Sequence, residues 1–101
     1  MIKAIFKAEK NRYISLEVSG HAMSGEYGKD LVCASVSSIL FGFMNALDEL
    51  EEDIEIEQLE NLIRIRNHCD SQTVQDYFEL VIMQLKTIEV SYGKFIKVER
   101  K

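Results

Sequence analysis

The chain has no proline and only five glycines in 101 residues. It also has no glycine/serine linker, no low-complexity run and no internal repeat, so nothing marks an internal boundary. Residues 1–101 therefore read as a single small domain, and 47% apolar composition gives it enough material for a modest core. The N-terminus lacks the apolar core of a secretion signal, and no run reaches the ~18 apolar residues that a membrane span needs. The expectation is a soluble, cytoplasmic protein with no membrane partner. Positive charge is scarce too: 12 Lys and Arg stand against 17 Asp and Glu, for a net charge of −5. That disfavours direct nucleic-acid binding, because phosphate contacts need a basic surface. Lys3, Lys7, Lys10, Arg12, Arg64 and Arg66 fall on predicted strands and their first turn. They read as a solvated sheet face rather than an anion patch. There are two cysteines, Cys33 and Cys69, and without a secretion signal they read as free thiols. Gly20, Gly25 and Gly28 lack the spacing of a phosphate-binding loop, and no Gly-Lys-Ser/Thr follows them.

What is present is a clear change of period. Ile2, Ala4, Phe6 and Ala8 alternate with Lys3, Ile5 and Lys7, and Ile14, Leu16 and Val18 alternate with Tyr13, Ser15, Glu17 and Ser19. The period of two predicts two strands with Lys10-Asn11-Arg12 as the tight connection. From Asp30 the spacing becomes three and four: Val32, Val36, Ile39, Leu40, Phe43, Leu47 and Leu50 predict a helix over 31–50, with Asp30 as its N-cap. A second row on that helix, Ala34, Ser38, Gly42 and Ala46, is small throughout and predicts close approach of another element, hence burial on two sides. Ile54 and Ile56, then Ile63 and Ile65, predict two more strands around a turn at Glu60-Asn61. Asp70 or Ser71 caps a second helix carrying Val74, Phe78, Val81, Leu85 and Ile88, with Gly93 at its stop. Lys94–Glu99 is a last strand. The order β-β-α-β-β-α-β predicts an α+β fold, a mixed sheet packed by two long helices.

The chemistry concentrates in residues 20–38, where a histidine ends one strand and a cysteine lies in the first turn of the next helix. A cysteine attacks as thiolate, which an adjacent imidazole and a helix N-terminus both promote. Cys33 is thus a candidate nucleophile and His21 its candidate base, across a loop that contains Gly25 and Gly28. Asp30 has two competing roles, capping the helix or orienting His21. A carboxylate beside a thiolate opposes thiolate formation, which favours capping with loop anchoring. Ser37, four residues after Cys33 on the same face, is either a packing hydroxyl or a hydrogen-bond donor into the site. His68-Cys69 reads as structural or incidental, since neighbours on a strand face opposite ways. His21, Cys33, His68 and Cys69 are zinc-ligand types, but no local pair has structural-zinc spacing, so neither metal nor cofactor is expected.

Gly20-His21-Ala22, a loop of about eight residues ending in Gly28-Lys29-Asp30, and Leu31-Val32-Cys33-Ala34-Ser35-Val36-Ser37 together resemble the signature of the ribosomal-processing cysteine protease family. The order of elements and the chain length match as well. The resemblance implies one cysteine endopeptidase domain over 1–101 that removes the short hydrophobic, aromatic-ended N-terminal extension of a bacterial large-subunit ribosomal protein. It also implies a homodimer whose loop between His and Cys is a mobile cover. On this resemblance His21 and Cys33 correspond to the catalytic pair, Asp30 to the acidic position, Ser37 to the serine one turn on, and Gly20 to the glycine beside the histidine. Ser35 stands where many members have alanine. The rival reading is a non-catalytic, ribosome-associated peptide-binding module in which the same groove only holds a chain.

Overall fold

The structure, a computed structural model, describes residues 1–20 and 29–101; the side chains of Lys29 and Asp30 lie outside that description. Alternation and helical periodicity resolve as expected. The elements are β1 Ile2–Glu9, β2 Arg12–Ser19, α1 Lys29–Leu50, β3 Ile54–Leu59, β4 Leu62–Asn67, α2 Gln72–Tyr92 and β5 Ile96–Arg100. The five strands form one sheet in the order β3-β4-β2-β1-β5. Every pairing is antiparallel except that of β1 with β5. Ile2, Ala4, Phe6, Leu16, Val18, Ile63, Ile65 and Ile96 give the sheet one apolar face, and both helices contribute to the core built on it.

One strand departs from simple alternation. Lys7 pairs with Ser15 but Ala8 pairs with Tyr13, so Ile14 is left over as a β-bulge. The extra residue reverses the sidedness beyond it. Tyr13, not Ile14 as alternation predicts, joins the core: its ring stands edge-on to Phe6 at 6.0 Å and stacks on Phe78 at 6.1 Å. The hairpin then closes through Lys10 and Asn11, both left-handed at φ 52° and 62°, the conformation that matches a two-residue turn to the strand twist.

A bulge frees backbone groups, and two buried polar side chains take them up. Tyr13 N–H donates to Gln75 Oε1 at 2.6 Å, while Gln75 Nε2 and Asn67 Nδ2 donate to the Tyr13 carbonyl at 2.9 and 3.2 Å. Gln75 and Asn67 are only 6% and 9% exposed, so these bonds act where an unpaired donor is costly. Ser71, of the two cap candidates, caps α2 by accepting from Val74 N–H at 3.3 Å.

Two expectations about α1 need correction. Leu31–Leu50 has a mean hydropathy of 1.6 and is, by length and composition, long and apolar enough to cross a membrane. Asp48 and Glu49 interrupt the uncharged run of this helix, which is why no continuous run reaches that length. Here that helix packs Val32, Val36, Leu40, Phe43, Met44 and Leu47 into the core. The second correction concerns its small row. Ala34, Ser38 and Gly42 are exposed, and a side chain added at Gly42 would meet nothing within 4 Å. Sheet and α2 cover one side of α1 and leave this row open.

The far side of the sheet carries the charges predicted for it. Arg64 bridges Glu17 at 2.9 Å and Glu57 at 3.0 Å, and Arg66 reaches Glu55 at 3.0 Å. Glu55 also meets His68 Nε2 at 3.2 Å, and that hydrogen bond, ahead of Arg66, holds its carboxyl below the usual range. Glu17 and Glu57 raise the Arg64 guanidinium in turn. The Arg66 and His68 pairs are exposed and those of Arg64 half-buried, so they fix side-chain order more than they add stability.

Candidate active site

The site is built where β2 ends and α1 begins. Gly20 closes β2 with φ 76°, and its N–H donates to the Asn61 carbonyl at 3.2 Å. A Cβ here would fall on the Met1 carbonyl oxygen. Glycine is therefore required twice, by conformation and by the chain passing against it. The sequence singles out Gly20 only through its place beside His21, and the packing supplies the physical reason.

Helix α1 starts at Lys29, two residues earlier than periodicity predicts, because the two turn-like residues Lys29 and Asp30 carry no apolar signal. Asp30 thus stands inside the first turn rather than before it. A carboxylate there is favourably placed against the helix dipole, but its choice between capping and orienting lies outside the described residues. Cys33 becomes the fifth residue of the helix. It sits beyond the first turn, where the pull of the helix end on an anion has weakened, and in a regular helix its own N–H is engaged to the Lys29 carbonyl. Amides earlier in α1 have no acceptor four residues back within the helix.

Cys33 is fully buried in the core cluster and is a free thiol. Ser37, one turn on, is half-buried. Ser35 donates to the Leu31 carbonyl at 2.9 Å and so satisfies itself within the helix. His21, with Gly25, Gly28 and the connection that carries them, lies outside the described residues.

The second Cys and His are set apart from this place and from each other. They follow β4 rather than lie on it. His68 is exposed against Glu55, whereas Cys69 is half-buried, a free thiol that donates to Asn67 Oδ1 at 3.0 Å. Sequence reasoning missed Asn67 and Gln75, which hold the bulge of the strand that delivers Gly20. The available signal was a Gln beside Val74 and one turn before Phe78, on the buried face of α2.

The sequence model of the family described as cysteine protease Prp matches residues 1–97. The chain belongs to that family. Its activity is that of a cysteine protease. Among Prp relatives, one from Staphylococcus aureus, the ribosomal processing cysteine protease Prp, is 31% identical over 97 residues, covering 92% of both chains. The crystal structure of S. aureus Prp in complex with a substrate peptide superposes with a TM-score of 0.91 at 30% identity, covering 100% of each chain. That of the same protease with a covalently linked product peptide gives 0.89, also at 30% identity and over 100% of each chain.

Proposed function

We propose that this chain removes the hydrophobic N-terminal extension of a bacterial large-subunit ribosomal protein, in the cytoplasm, with Cys33 as nucleophile and His21 as base. His21 takes the thiol proton and Cys33 attacks the scissile carbonyl. His21 then returns the proton to the leaving amine, and water hydrolyses the thioester. Amides in the first turn of α1 are the natural donors to the oxyanion. In this reading Asp30 anchors the start of the helix and Ser37 stands one turn beyond the nucleophile. Because Cys33 is fully buried, the reaction includes a step that uncovers the thiol for an extended peptide.

One observation carries this reading: the Prp match runs through the Gly20-His21-Ala22 and Leu31-Val32-Cys33 segments. The relatives named for ribosomal processing supply the substrate class. A second copy of the chain is the proposed cover for the open side of the helices. There Leu31, Phe41, Leu80 and Met83 are 48–59% exposed. A groove of about 280 Å³ runs between Gly42, Ala46, Tyr77 and Leu80. Apolar surface of this kind marks interaction sites.

Alkylation with iodoacetamide tests the dyad. On accessibility alone the half-buried Cys69 should react before the buried Cys33. A catalytic Cys33 reverses that order at neutral pH, and His21→Ala slows its labelling while leaving Cys69 unchanged. Labelling of Cys69 first, with His21→Ala without effect, would instead fit a module that only holds a peptide.

A further inference from the structure

The inward row of β5 breaks its own pattern. Ile96, Val98 and Arg100 stand in parallel register with Ile2, Ala4 and Phe6. Ile96 is buried and Val98 packs on the core, yet the third place is held by an arginine. A charge at the end of an apolar row is a local inconsistency of the kind that functional sites produce. Arg100 does not stand alone there. Lys86, reaching over from α2, holds its ammonium 5.3 Å from the centre of the Phe6 ring. Both line a cavity of about 410 Å³ whose other walls include Phe6, Asn11, Tyr13 and Glu79. This cavity lies at the hairpin end of β1, away from the end where Met1 meets Gly20, so it is not part of the Cys33 site.

Acidic residues outnumber basic ones 17 to 12 in this chain, and the arginines of the open sheet face, Arg64 and Arg66, all have carboxylate partners. Among the described residues neither Lys86 nor Arg100 forms an ion pair, although Glu79 lines the same cavity. Among these residues Lys3, Lys94 and Lys97 form no ion pair either, so what sets Lys86 and Arg100 apart is that the two cations line one cavity.

We propose that this cavity binds a small phosphate monoester. The guanidinium of Arg100 offers a fork for two phosphate oxygens and Lys86 a point charge, together matching a dianion, with the Asn11 amide as a neutral donor. The volume falls within the ~300–1,000 Å³ of small-ligand pockets, more than a bare phosphate fills. The organic part of the ester rests on the aromatic wall of Phe6 and Tyr13. Glu79 repels further negative charge, which selects a single phosphate over a polyanion.

Calorimetric titration of the full chain with adenosine 5′-monophosphate, inorganic phosphate and adenosine tests this. The monophosphate should bind, inorganic phosphate more weakly, and adenosine not measurably. Lys86→Gln and Arg100→Gln should each weaken monophosphate binding at least tenfold, Arg100→Lys distinctly less than Arg100→Gln, with unchanged thermal melts. The proposal is overturned if millimolar monophosphate gives no binding, if adenosine binds equally well, or if the glutamine variants bind as wild type. Self-association of Arg100→Gln with binding intact would also overturn it, since Arg100 would then serve only to guard the edge of β5.

Discussion

At the scale of single residues, Gly20 and Cys33 are constrained for different reasons. Gly20 is fixed by backbone geometry: a left-handed φ of 76° and the Met1 carbonyl where a side chain would begin. Gly20→Ala should cost ~1–2 kcal/mol from conformation alone, and more from displacing the N-terminus. Because Gly20 immediately precedes His21, peptide cleavage should fall further than stability does. Chemical denaturation measured beside turnover separates the two effects, and an alanine variant with wild-type values for both would show that this end of β2 tolerates displacement. Cys33 is constrained by chemistry instead. A fully buried thiol in an apolar cluster is what a small core residue would also look like. Burial alone thus argues nothing for a nucleophile; the surrounding motif carries that assignment.

At the scale of elements, β2 depends on side chains far away in the chain. Gln75, 62 residues from Tyr13, satisfies both backbone groups of that bulged position. Gln75→Leu should leave the Tyr13 N–H buried and unpaired, costing ~1–3 kcal/mol, which in a domain of this size lowers the melting temperature by several degrees. Asn67 still reaches the Tyr13 carbonyl, so the loss is confined to the donor. A melt of Gln75→Leu superimposable on wild type would mean that the bulge relaxes without it. This network also marks where the sequence was legible and where it was not. Apolar periodicity is a local signal, so the order of all seven elements could be read from it, while the α2 cap was narrowed only to Asp70 or Ser71. The bulge at Ile14 could not, because alternation continues through it in the sequence and only pairing with β1 shows the slip. The start of α1 differs from the periodic reading for a related reason: Lys29 and Asp30 are polar and carry no periodic mark. Of the candidate site, the residue types and their order were readable, whereas the depth of Cys33 depends on how the helix lies against the sheet.

At the scale of the whole molecule, one side of the helical layer is unfinished. A small-residue row on α1 suggested close packing, and within one chain that packing is absent: Gly42 faces open space. If a second copy covers this face, Gly42→Leu should weaken self-association sharply while leaving the monomer intact or stabilised by about 0.5–1 kcal/mol of helix propensity. Sedimentation of the variant against wild type reads the first effect and thermal denaturation at low concentration the second. Equal self-association of the two proteins would place the interface elsewhere. The account as a whole turns on peptide cleavage by Cys33, and one measurement reaches it directly. The purified chain and its Cys33→Ala variant are incubated in parallel with a ribosomal-protein precursor bearing its hydrophobic extension, and intact masses are recorded over time. The account predicts that the wild-type chain produces the shortened protein and one released peptide from a single cut, and that the alanine variant, equally folded, yields neither. Cleavage by both proteins, or by neither, would contradict it.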